Sequence, residues 1–252
     1  MTLPNAPGDV PADTDEVVPL APHHVAYFAE RAVSAALAIR AGARSVDCAE
    51  AAKALGRPEP TAFPGILLPY PNAPTYARVR FDDGPDRYLA PGRVDVPIYI
   101  PPPGIDAPLQ PMVVVEAPVK ALALAGLGWF SIGLGGVSST LEKGSHPAKL
   151  NASWRAVMLR GRVVVILFDA NLDKTHVAHG LARLSCALEH AGARVFVARL
   201  PTSTAEEDLG PDDFLKLHGE SALCATVSGF APADPGSDRQ TDRRYRVDRR
   251  GA

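Results

Sequence analysis

The stretch "VVVILFDANLDKT", Val163 to Thr175, decides how this chain is read. A run of β-branched and large apolar residues stops at Asp169, and polar positions follow at once. Such a run, flanked by polar turn residues, predicts a strand buried on both faces, the pattern of a parallel sheet covered by helices. Asp169 then stands at the rim of the core, with Asn171 and Asp173 at alternate positions beyond it.

The neighbouring segments extend the pattern. "MVVVE" from Met112 is a second apolar run ending in an acid, Glu116, and "PVKALALAGL" follows as a helix with Pro118 in its first turn. "WFSIGLGG" is a strand ending in glycines, "SWRAVML" a short helix and "RVVVILFDAN" the third strand. "VAHGLARLSCALEHAG" is a helix with Val177, Leu181, Leu184 and Leu188 on one stripe and Gly192 as its stop. "RVFVARLP" is a fourth strand, and "GPDDFLKLHG" opens a short last helix. Alternating strands and helices predict an α/β fold, a parallel sheet flanked by helices with right-handed crossovers, over residues 111–222.

Upstream, residues 23–110 read as a small mixed α+β lobe. Residues 24–41 predict a helix with Val25, Phe28, Ala32, Ala36 and Ile39 on one face, and Val46 to Leu55 a second, ended by Gly56. Residues 58–110 are proline-dense, with short extended runs. In "TYARVRF" one face carries Tyr76, Arg78 and Arg80, and the other Ala77, Val79 and Phe81, which is strand periodicity. Residues 1–22 read as a disordered leader, and 231–252, rich in arginine and aspartate, as a disordered tail.

The chain has 252 residues, 46% of them hydrophobic and 21% charged, with a net charge of −2. That balance argues for a globular protein and against a globally basic nucleic-acid binder. No apolar stretch is long enough to span a bilayer and no signal pattern opens the chain, so a cytoplasmic protein without membrane attachment is expected. Cys48, Cys186 and Cys224 are far apart and form neither a disulfide framework nor a zinc spacing.

Ligands of open parallel sheets gather at the carboxyl ends of the strands. Glu116 and Asp169 both stand there, and Asp212 and Asp213 follow the fourth strand after a loop. Carboxylates brought together repel one another, and Mg²⁺, which takes oxygen ligands and bridges to phosphates, relieves that repulsion. Each acid also has a plainer reading as a helix cap or turn residue, Glu116 and Asp212 at helix starts. The glycines of "GLGGVSST" fit a tight strand-end turn better than a phosphate loop, because the lysine–serine ending of a P-loop is missing. His176 and His179 share a helix face without a third ligand, and the seven histidines look scattered.

The order strand–Glu–helix, glycine-bearing strand, strand–Asp-x-Asp–helix and late acidic pair resembles the TOPRIM fold of bacterial DNA primases, topoisomerases and several nucleases. The nearer likeness is to a TOPRIM-like domain of unknown function in replication proteins of plasmids, phages and other mobile elements. The matching segments are "VVVEAPVKALAL", "IGLGGV", "ILFDANLDKTHVAHGLARLSCALEHAGARVFVARLP" and "GPDDFLKLHG". The lobe before them, from "GILLPYPNAPTYARVRF" on, is similar in order to the one that precedes TOPRIM in primases.

The resemblance implies Mg²⁺- or Mn²⁺-dependent phosphoryl transfer on DNA or RNA, single-stranded, alongside a replicative helicase. A nuclease or a catalytically silent nucleic-acid-binding module are the alternatives. It implies Glu116, Asp169 and Lys120 as catalytic residues. Glu116, Asp169, Asn171, Asp212 and Asp213 would hold metal, and Arg78, Arg80, Arg87 and Lys174 would hold nucleic acid. Two positions depart from the pattern. Ala117 stands where a glycine usually follows the glutamate, and Asn171 replaces the second aspartate. An amide oxygen ligates without charge, and one negative charge fewer weakens a site for a hard cation.

Overall fold

The computed structural model describes residues 20–85, 87–102, 111–172, 174–201 and 209–228. Almost all of the leader and tail segments, and Asp173, lie outside them. The packed chain starts before residue 23. Leu20 is buried, and the first helix, α1, spans Pro22–Ala29.

The single helix expected over residues 24–41 is two. After α1, Ala32 takes a left-handed φ of 56° and Ser34 caps α2 (Ala35–Arg40), its hydroxyl accepting from the Leu37 N–H at 3.2 Å. Serine competes with the helix for backbone hydrogen bonds and favours this capping place. The break turns the apolar face. Tyr27, Phe28, Val33, Leu37 and Ala38 are buried, whereas Ala36 and Ile39 are exposed.

β1 (Arg44–Val46) leads into α3 (Cys48–Ala54), which starts on an Asp47/Glu50 capping box. β2 (Gly65–Tyr70), β3 (Ala73–Phe81) and β4 (Tyr88–Leu89) complete an antiparallel sheet in the order β1-β2-β3-β4.

The second sheet is wholly parallel, in the order β6-β5-β7-β8. β5 is Met112–Val115, β6 Ser131–Gly133, β7 Val163–Leu167 and β8 Arg194–Ala198. Its helices are α4 (Pro118–Gly126), α5 (Thr175–His190) and α6 (Pro211–Ser228), the last interrupted at Gly219. The "SWRAVML" helix is a 3₁₀ turn, Ala152–Ala156. The α/β class and the flanking helices are as expected from the sequence.

Every residue of β5 and β7 is buried, and their side chains alternate between two cores. Val113, Val115, Val163, Val165 and Leu167 face α4, α6 and the first lobe, in one cluster with Phe28, Leu37, Tyr70, Leu122 and Phe214. Met112, Val114, Val164, Ile166 and Phe168 face α5, with Leu184, Leu188 and Trp154. The two lobes therefore share one apolar cluster, on the side where α1, α4 and α6 meet.

Candidate functional site at the carboxyl edge of the parallel sheet

β5 and β7 are neighbours, so their carboxyl ends deliver Glu116 and Asp169 side by side. Gly133 lets this edge close. A Cβ there would lie 2.8 Å from Pro118 Cα and 3.0 Å from the Ala117 oxygen, so β6 can run against the start of α4 only with glycine. α4 in turn presents Lys120 from its first turn. The Ala170 N–H donates to the Leu209 oxygen at 3.0 Å and stitches the end of β7 to the segment entering α6. That bond brings the start of α6, with Asp212, up to Lys120.

The Lys120 ammonium donates to both oxygens of Asp169, at 2.5 Å to Oδ1 and 2.6 Å to Oδ2. Both side chains are largely shielded, 16% and 17% exposed. A Cβ on Gly210 would sit 2.7 Å from Asp212 Oδ1 and 2.9 Å from Lys120 Nζ, so this bare backbone is wedged between the two. The Gly210 N–H donates to Asp213 Oδ2 at 3.3 Å, so Asp213, third residue of α6, reaches back to satisfy the backbone N–H that precedes the helix.

Asp212 is 1% exposed. Its Oδ2 lies 3.5 Å from Arg31 Nη1, and Asp213 Oδ1 lies 3.7 Å from the same atom. Asp212 Oδ1 is buried with no hydrogen bond among the described residues. Burial pushes the Asp212 carboxyl above its usual range and Asp213 adds to that, against the pull of Lys120 and Arg31. Burial likewise raises Glu116, and the neighbouring Asp169 charge reinforces it, while Lys120 and His176 oppose.

These residues do not form a cage for Mg²⁺ as they stand. Among the described residues, no three of the edge carboxylates bring oxygens within 4.8 Å of one another. Asp169 is held on both oxygens by an ammonium, and a cation already fills the place a metal would take. Asn171 is half-buried beside Asp169. Asp173, the other acid of that turn, is outside the described residues.

The predicted nucleic-acid residues separate. Arg78 is half-buried and donates to the Gly135 oxygen at 3.2 Å, joining the first lobe to the glycine turn after β6. Arg80 lies over the Tyr27 ring, 3.9 Å from its centroid. Arg87 and Lys174 are exposed, and Arg87 donates to the Asp82 oxygen at 2.6 Å. The Tyr88 and Tyr27 hydroxyls share a hydrogen bond at 2.5 Å.

Sequence reasoning missed Arg31 and Gly210. Arg31 stacks on Tyr27, 4.8 Å from the ring centroid, and carries the first lobe's charge to Asp212, 181 residues away. Nothing local marks such a contact. Gly210 did leave a signal, a glycine just before the Pro-Asp-Asp helix start, but its closeness to Lys120 is tertiary.

A family model described as "Domain of unknown function (DUF3854)" matches residues 105–222. That span contains Glu116, Lys120, Asp169, Asp212 and Asp213 and the four segments quoted above. No curated protein matches the chain. Among solved structures the chain is similar to the primase fragment of the bacteriophage T7 primase-helicase protein, at 13% identity and a TM-score of 0.49, over 79% of this chain and 72% of that one. It is also similar to a chain in the structure of T7 lagging-strand DNA polymerase interacting with primase domains bound to an RNA/DNA hybrid and dTTP. There the identity is 13% and the TM-score 0.44, over 81% and 76% of the two chains. No helix among the described residues is long and apolar enough to cross a membrane.

Proposed function

We propose that the protein handles nucleic acid at the carboxyl edge of its parallel sheet, as a primase-like component of mobile-element replication of the TOPRIM type. The observation that carries this reading is the meeting of Glu116, Lys120, Asp169 and Asp212 at one edge, with Arg31 of the preceding lobe on its flank. A bare carboxylate cluster repels a phosphodiester, whereas here two cations are built among the acids. Lys120 is the group placed to meet a phosphate oxygen, with Asp169 orienting it. Glu116, whose proton burial holds more tightly than an ordinary glutamate's, is the group of this edge suited to proton transfer.

The activity proposed is phosphoryl transfer on a single strand, alongside a replicative helicase. Mg²⁺ or Mn²⁺ belongs to the reading as the ion that accompanies nucleotide phosphates, and the described geometry assigns it no ligand set.

The test is incubation of the full chain with labelled single strands, nucleotides and Mg²⁺ or Mn²⁺. Extension supports the primase-like reading and shortening supports a nuclease on the same fold. Strand binding with neither product supports a second reading, a catalytically silent binding module. The Lys120–Asp169 pair and the uncharged Asn171 favour that second reading. No strand binding at low salt would overturn both.

A further inference from the structure

We propose that His23, His24 and Asp82 form a site for a borderline transition-metal ion, Zn²⁺ first, in the antiparallel lobe and away from the carboxyl edge. One ligand atom from each of the three residues lies within 4.8 Å of the others. Asp82 Oδ1 is 2.7 Å from His24 Nε2, and Asp82 Oδ2 is 3.2 Å from His23 Nε2. Tetrahedral zinc with bonds of about 2.0–2.1 Å holds its ligands about 3.3 Å apart. The His23 contact already has that spacing, and the His24 contact needs about 0.6 Å of opening.

What surrounds the triad is what a metal-binding histidine requires. His24 Nδ1 lies 2.7 Å from Ser45 Oγ, and that hydroxyl is itself fixed by the Ala21 N–H at 2.7 Å. Metal-ligating histidines donate their second ring N–H to such a partner, which fixes the tautomer and aims the other nitrogen. In the tautomer that gives Nδ1–H to Ser45, the His24 Nε2 lone pair faces a carboxylate oxygen at 2.7 Å, and a metal ion between the two takes both as ligands; in the other, Nε2–H donates to Asp82 and is the proton that a metal ion displaces.

The donors also sit on separate, well-held elements. The histidines start α1, Ser45 is in β1, and Asp82 follows β3 with its N–H on the Pro64 oxygen at 3.1 Å. His24 is buried and Ser45 half-buried while the His23 side chain is 63% exposed, so one side of the site is open to water and to a fourth ligand. Two imidazoles and one carboxylate suit Zn²⁺, and Cu²⁺ or Ni²⁺ after it, rather than Mg²⁺ or Ca²⁺. Asp82 stands 58 residues from His24, so the histidine pair gives no ligand spacing in the sequence.

The test is calorimetric titration of the full chain with Zn²⁺, repeated on His23→Asn and Asp82→Asn, with circular dichroism to check that both remain folded. His23 is exposed, so His23→Asn keeps the fold. The expected result is saturable binding of one Zn²⁺ per chain, weakened about tenfold or more in each variant. Co²⁺ in place of Zn²⁺ should give tetrahedral visible absorption that His23→Asn removes. No saturable binding in the parent chain overturns the proposal. Binding that survives both substitutions also overturns it, because it then belongs to His176 with His179 or to Cys186 with His190.

Discussion

Lys120 grips Asp169 through both carboxylate oxygens, at 2.5 and 2.6 Å, at the carboxyl edge of the parallel sheet that also carries Glu116, Asp212 and Asp213. The pair is largely out of water. Removing one partner from such a pair leaves an uncompensated buried charge. Lys120→Met should therefore lower stability by about 3 kcal/mol at neutral pH, read by urea unfolding. Adding Asp169→Asn to it should restore most of the loss. A single-variant cost of about 1 kcal/mol or less would place the pair with ordinary surface bridges.

The same substitution tests whether the ammonium stands in for a metal. With Lys120 in place, no Mg²⁺ ligand set converges among the described residues. Lys120→Met should expose Asp169 beside Glu116 and Asp212, and calorimetry should then detect Mg²⁺ binding that the parent lacks at the same concentrations. Equal binding by parent and variant would mean that Lys120 does not compete with metal.

How far the sequence carried this site can be judged residue by residue. Glu116 and Asp169 were legible because each ends an apolar run, and a strand's direction then fixes which edge its last residue reaches. The parallel sheet was legible for the same reason. Lys120 entered only through the resemblance, as a catalytic residue; its pairing with Asp169 was not legible, because only the pairing of β5 with β7 brings the first turn of α4 to the end of β7. Arg31 was further out of reach. It lies in the break between α1 and α2, ahead of the Ser34 cap, and the alanine-rich sequence there carries an unbroken helix pattern across that break.

Glu116 gives a prediction with a fixed sign. Its carboxyl is raised in the folded protein, chiefly by burial and next by Asp169. The folded state therefore favours the protonated form. That contribution is fully present below the ordinary glutamate value of about 4.3 and is lost as pH rises through the higher folded value. Glu116→Gln cannot ionise and escapes the loss. Melting temperatures of parent and variant should differ little at the acid end and separate in the variant's favour as pH rises to neutrality. A pH-independent difference would mean that Glu116 is solvated like a surface acid.

The three arginines of the first lobe should behave differently, because their guanidinium groups are committed differently. Arg78 ties the Gly135 oxygen from a half-buried position, so its loss removes a charged hydrogen bond between the lobes. Arg78→Ala should cost about 1.5–3 kcal/mol of stability. Arg80 lies over the Tyr27 ring, and Arg87 is exposed. Neither holds the two lobes together, so both are available to phosphate. Arg80→Ala and Arg87→Ala should keep the parent's stability within about 1 kcal/mol and weaken single-strand binding, each lowering the log–log salt slope by up to about one. Fluorescence anisotropy across a salt series, beside urea unfolding of the same variants, separates the two behaviours. An unchanged salt slope in both Arg80→Ala and Arg87→Ala would move the strand path away from this lobe.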